Sequence, residues 1–167
     1  MLEPETCASI AELENIIAIK YSVDREQYAK LTEMSRGKLI VSTSSEDLWL
    51  ENIVELGWQV YLCSTPPFLM QTAVDQRMNE YTSLAMSGEV EKAREVRDSL
   101  DPVRKALKRT RPADKPQAQQ KYWQELIGQV GGPVRRPLLN LTDAEKATVK
   151  QALESCGLEL TASNTNA

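Results

Sequence analysis

Three short apolar runs, NIIAIK (15–20), KLIVS (38–42) and WQVYLCS (58–64), end at Lys20, Ser42 and Ser64, which are 22 positions apart each time. The stretches between them read as amphipathic helices. DREQYAKLTEMSRG has Asp24 as a cap and Gly37 as a stop. SSEDLWLENIVELG has a serine-led start, ends at Gly57, and takes Leu48, Leu50, Ile53, Val54 and Leu56 as its apolar positions. Ahead of the first run, EPETCASIAELE reads as a helix with Pro4 in its first turn. Strand, helix, strand at a fixed interval indicates parallel βα units. In such folds ligands bind at the carboxyl ends of the strands.

Lys20 stands at one of those ends, and two readings of it are open. A lysine closing an apolar strand can lay its stem along its neighbours and reach solvent. Held in an apolar pocket, it loses its proton more readily and becomes a nucleophile. Strand alternation puts Ile16, Ala18 and Lys20 on one face, and Ile17 and Ile19 on the other, toward the helices.

After Thr65-Pro66-Pro67 the pattern is helical only. FLMQTAVDQRMNEYTSLAMSG and EVEKAREVRDSLDPVRKALKRT predict a helical pair turning at Ser87-Gly88. RPADKPQ (111–117) is a connector, AQQKYWQELIG a short helix, and QVGGPVRRPLLN an extended loop. In LTDAEKATVKQALESCGL, Thr142 and Glu145 have capping-box spacing and Gly157 stands at the C-terminal cap. The expected organisation is 1–66 as βα units, 67–158 as a helical region and 159–167 as a disordered tail.

Composition narrows the chemistry. The 167 residues are 41% hydrophobic and 26% charged with a net charge of −4, an ordinary globular balance that disfavours a dedicated nucleic-acid binder. Nine basic residues between Arg104 and Arg136 read as a solvated helix face within that acidic total. No apolar run reaches the ~18 residues of a membrane span, and MLEPETCASIAELE lacks the pattern of a signal peptide. A cytoplasmic location is expected. Cys7, Cys63 and Cys156 are scattered without metal-ligand spacing. The chain contains no histidine, which excludes a Ser-His-Asp triad, a Cys-His pair and any histidine-ligated metal built from it alone.

Several stretches resemble the C-terminal portion of the dihydrodipicolinate synthase / N-acetylneuraminate lyase family. LEPETCASIAELENIIAIK resembles the helix and sixth strand that end in the family's Schiff-base lysine, which falls on Lys20. SSEDLWLENIVELG resembles the segment after the seventh strand, and WQVYLCST the eighth strand. SGEVEKAREV and GGPVRRPLLNLTDAEKATVKQALESCGL resemble the C-terminal helices and the loop before the last of them. The sequence departs from the family at Tyr21-Ser22, where many members carry an acidic and a small residue, and at Ser45, where a glycine is usual. The family's first five strands, which carry the carboxylate-binding turn and the proton-relaying tyrosine, have no counterpart in it.

The resemblance implies an α/β fold: a partial (β/α)8 TIM barrel of about three βα units, resembling strands 6–8, followed by a C-terminal helical extension. It implies a class I aldolase or lyase acting on a 2-keto acid such as pyruvate through an iminium on Lys20, with no metal or organic cofactor. Ser45, Asp47, Leu62 and Ser64 fall at the implied pocket wall, although Ser44, Ser45 and Asp47 also suit a plain helix N-terminus and Leu62 a core position. Tyr21 is a further candidate proton relay, but strand parity turns it away from Lys20. Trp49, Trp58 and Trp123 read as packing residues. Family members associate, so a homo-oligomer or a complementing N-terminal half is the expected partner. The alternative is a truncated, non-catalytic paralogue or assembly partner.

Overall fold

A computed structural model of the chain describes residues 2–62, 69–73 and 75–157. It divides into two compact units, one comprising Met1–Ser64 and Tyr81–Arg94, the other Thr65–Glu80 and Glu95–Ala167.

The first unit opens with α1 (Pro4–Ile10), with Pro4 in its first turn, where a missing N–H costs nothing. The strands β1 (Ala18–Lys20) and β2 (Ile40–Ser42) follow, separated by α2 (Arg25–Met34). Asp24 caps α2 by accepting from the Gln27 N–H at 3.0 Å. Gly37, at φ +79°, lets the chain reverse toward β2. β1 and β2 pair in parallel with Ala18 opposite Ile40, Ile19 opposite Val41 and Lys20 opposite Ser42. The interval of 22 in the sequence is thus the register of the sheet.

β1 is shorter than expected. The Ile16 N–H bonds the Leu13 carbonyl at 3.0 Å, which keeps the residues before Ala18 in a turn. Alternation then runs from Ala18 onward: Ala18 and Lys20 are exposed and Tyr21 is buried. Ile17, expected to face the helices, lies ahead of the strand and is 68% exposed.

The helix α3 (Trp49–Leu56) begins at Trp49, not at the serines. Ser45 and Asp47 close a turn ahead of it, and the Trp49 N–H bonds the Glu46 carbonyl at 3.0 Å. Its buried face is Trp49, Leu50, Asn52 and Ile53, while Leu48 and Val54 are exposed. Gly57, at φ +68°, ends it.

The third expected strand is not formed over 58–62, and Cys63 and Ser64 lie outside the described residues. The segment still lies beside β2, because the Leu62 N–H donates to Ser42 Oγ at 2.8 Å. A side-chain hydroxyl has taken the main-chain group that a regular ladder would use.

The core of this unit gathers Cys7, Tyr28, Leu31, Val41, Trp49, Leu50, Ile53 and Trp58. Each large apolar side chain so buried contributes ~1.5–3 kcal/mol. The polar tips are matched: Tyr28 donates to Asn52 Oδ1 at 3.1 Å and Trp58 Nε1 to Thr32 Oγ1 at 3.0 Å. Residues 81–94 complete it. Tyr81, fully buried, donates to Glu46 Oε1 at 2.6 Å, and Trp49 Nε1 donates to Thr82 Oγ1 at 3.0 Å.

The expected helical pair is α4 (Arg77–Met86) and α5 (Val90–Ser99), turning at Ser87-Gly88. The second helix of that pair, expected to run on to Thr110, breaks at Leu100, and α6 (Asp101–Arg109) restarts with Pro102 in its first turn. In the second unit α6 and α7 (Pro116–Leu126) each pack on α8 (Asp143–Ser155). They bury Val103, Leu107, Trp123, Leu126, Val149 and Leu153. The capping box of Thr142 and Glu145 is present. The expected tail lies outside the described residues.

Candidate functional site

Lys20 ends β1 with its side chain on the exposed face, level with Ser42 on β2. Ser42 is fully buried and joins three segments. Its carbonyl accepts from the Tyr21 N–H at 2.7 Å and its Oγ from the Leu62 N–H at 2.8 Å. One step further along, Ser22 Oγ donates to Ser44 Oγ at 3.1 Å. The carboxyl end of the sheet therefore carries an exposed lysine, with Ser42 buried in register with it and the Ser22–Ser44 pair one step further on. Ser42, Ser22 and Ser44 were not among the expected site residues. The signal was there, since 22 and 44 repeat the same interval as 20 and 42.

Ser45 and Asp47 are exposed and bonded to each other, Ser45 Oγ to Asp47 Oδ2 at 3.0 Å. They belong to the turn before α3, so no helix N-terminus is formed at those residues. Leu62 is 39% exposed and reaches the site through its main chain. Ser64 lies outside the described residues. The apolar enclosure expected around Lys20 is not built by the described residues, since its side chain is exposed.

Tyr21 points the opposite way. It is buried and its hydroxyl donates to the Leu2 carbonyl at 2.6 Å. Burial, followed by the nearby Cys7 thiol and the carboxylates of Glu3, Asp24 and Glu5, holds its phenol above the ordinary value. It is committed to the fold at the far face from Lys20.

A cleft of about 430 Å³ lies at the opposite end of the strands, lined by Ile17, Leu39, Ile40, Leu56, Trp58 and Val60 among others. None of the expected site residues lines it. Among the described residues no helix is long and apolar enough to cross a membrane, and no cluster of acidic residues and cysteines is arranged to hold a metal ion.

Parallel βα units followed by helices define an α/β protein, and Lys20 stands at a strand's carboxyl end, where such folds hold their ligands. Residues 1–156 match the dihydrodipicolinate synthetase family, and the chain belongs to it. It is 23% identical over 155 residues to the 4-hydroxy-tetrahydrodipicolinate synthase of Halorhodospira halophila, covering 93% of this chain and 49% of that enzyme. It is 30% identical over 160 residues to the Kosmotoga olearia enzyme of the same name, covering 93% and 51%.

The fold is that of solved dihydrodipicolinate synthases. The Aquifex aeolicus structure superposes with a TM-score of 0.76 at 20% identity, over 96% of this chain and 52% of that one. The Thermotoga maritima structure gives 0.71 at 24% identity, over 92% and 50%. The chain spans about half the length of the curated relatives it matches.

Proposed function

We propose that the chain carries the Schiff-base half of a class I lyase acting on a 2-keto acid such as pyruvate. The Lys20 amine adds to the keto carbon and water leaves, giving an iminium joined to Nζ. When the bond at the adjacent carbon breaks, its electron pair passes into the iminium as an enamine; bond formation runs the same path in reverse. The Ser22–Ser44 hydroxyl pair, one step past Lys20, is proposed to face the polar end of the substrate, while Ser42 holds the strands beneath it. Ser45, Asp47, Leu62 and Ser64 are proposed to meet the rest of the substrate.

The observation that carries this reading is the position of Lys20, at the carboxyl end of β1, exposed and in register with Ser42. Family membership supports lyase chemistry in general. The test is borohydride trapping with pyruvate, followed by digestion and mass spectrometry. An adduct on Lys20 that disappears in Lys20→Arg is the expected result; a folded chain with no adduct removes the proposal.

One observation favours a second reading. The chain spans about half the length of its relatives, and a barrel site draws residues from several strand ends. A non-catalytic paralogue or assembly partner would fold and associate but leave Lys20 unreactive toward pyruvate.

A further inference from the structure

In the second unit, α7, α8 and the loop 131–141 border a cavity of about 370 Å³. Ala118, Tyr122 and Glu125 line it from α7, and their spacing puts them on one face of the helix. Lys146 lines it from α8, with Nζ 5.7 Å from the centre of the Tyr122 ring. The loop is tied down on both sides of Pro133. The Gly132 N–H donates to Glu125 Oε1 at 2.6 Å, and the Val134 N–H donates to Asn140 Oδ1 at 3.0 Å.

Glu125 and Lys146 are the two charged residues of this lining, and they have opposite sign. Neither forms an ion pair with the other or with any other of the described residues. The neighbouring Glu145 is bound instead to Lys115. The amide nitrogen of Asn140 also has no partner among the described residues. Burial, then Glu125 and Glu154, hold the Tyr122 phenol above its ordinary 10.0, so it keeps its proton through neutral pH.

A ligand with a single charge would satisfy one of these two groups and be repelled by the other. Tyr122 and Glu125 are one turn apart on α7, with side chains about 5–6 Å from each other. Because Lys146 sits over the Tyr122 ring, a molecule carrying an ammonium and a carboxylate close together can span the two. The remaining walls, Ala118, Pro133 and Leu141, are apolar and offer no partner for a third charge.

We propose that this cavity binds a free α-amino acid with an uncharged, apolar side chain. Its carboxylate is held by Lys146 Nζ and the Asn140 amide, and its ammonium by the Glu125 carboxylate. Its side chain lies against Ala118, Pro133 and Leu141, with Tyr122 as the wall between the two charges. The site lies within the second unit, shares no residue with the Lys20 site, and does not depend on the reading of that lysine.

The test titrates the full chain with L-leucine by calorimetry, beside N-acetyl-L-leucine, L-leucinamide, L-lysine and L-aspartate. The expected result is saturable one-to-one binding of leucine, in the millimolar range or tighter. The two analogues lacking one charge, and the two amino acids with a charged side chain, are expected to bind about tenfold more weakly or worse. Glu125→Gln, which keeps an acceptor for Gly132, and Lys146→Gln should each lose about tenfold in leucine affinity while melting as the parent does without ligand. If Glu125→Gln melts early, Lys146→Gln and the analogues decide. Leucine should also slow amide exchange at Gly132 and Val134. No saturable binding, equal binding of the acetylated or amidated analogue, tighter binding of lysine or aspartate, or full affinity in Lys146→Gln would each overturn the proposal. So would protection confined to the strands around Lys20, which would move the amino acid to the other site.

Discussion

Ser42 Oγ accepts the Leu62 N–H at 2.8 Å while the Ser42 carbonyl accepts the Tyr21 N–H at 2.7 Å, so one residue ties the segments on either side of it. Ser42→Ala keeps the carbonyl bond and loses the other, leaving a partly buried N–H unpaired. The expected cost is about 1–3 kcal/mol, read as a lower denaturation midpoint with unchanged slope. Exchange at the Leu62 amide should rise in the same variant.

The Tyr21 phenol sets an alkaline limit. Its charged form is the deprotonated one, and burial raises its value above the ordinary 10.0. A raised group contributes stability that is fully present below the unfolded value and is lost as pH rises through the folded one. Thermal stability should therefore fall above about pH 10. Tyr21→Phe should be less stable at neutral pH, having lost the bond to Leu2, and should show a smaller alkaline fall. Spectrophotometric titration of the tyrosines alongside melting curves checks both points.

Glu145 sets the complementary acid limit in the second unit. Lys115 Nζ lies 2.9 Å from each carboxylate oxygen, and Thr142 donates from its main chain and hydroxyl. Lys115 first, then Thr142, hold the carboxyl at about 2 instead of 4.5. Its contribution is complete above pH ~4.5 and is lost as pH falls toward 2. Lys115→Met should be less stable at neutral pH and show a shallower acid fall, converging with the parent near pH 2. Thr142→Ala should cost about 1 kcal/mol through the lost cap.

Gly131 packs against α7. A Cβ there would meet the Lys121 carbonyl oxygen at 2.1 Å and Glu125 Cγ at 2.6 Å. The first contact is main chain on a helix and cannot rotate away. Gly131→Ala should destabilise by ~1–3 kcal/mol. It should also disturb the bond from the Gly132 N–H to Glu125 Oε1, observable as faster exchange at Gly132.

The regular parts of the fold were legible because local rules decide them. The interval from Lys20 to Ser42 gave the sheet register, Asp24 and Thr142 gave helix starts, and Ser87-Gly88 gave a turn. The start of α3 was misread because Ser-Ser-Glu-Asp has the composition of a cap, whereas its side chains close a turn one step earlier. Over 58–62 the expected strand is irregular because the Ser42 hydroxyl takes the Leu62 N–H, a choice between side chain and main chain that no local pattern encodes. Lys20 was legible as a strand end, but not its exposure, which depends on tertiary packing rather than on local pattern. The bond from Tyr81 to Glu46 joins residues far apart in sequence, so composition could not signal it.

That bond bears on how this protein can be cut. The first unit is discontinuous: its chain departs after Ser64 and comes back at Tyr81. A nick between those residues leaves both pieces free to stay associated, whereas a truncation ending near residue 64 removes Tyr81 and Thr82 altogether. The carboxyl of Glu46 and the indole N–H of Trp49 would then lose these two partners. Exon-like boundaries, fusion joints and protease-defined fragments placed by the strand pattern alone would thus sever a domain that the chain visits twice.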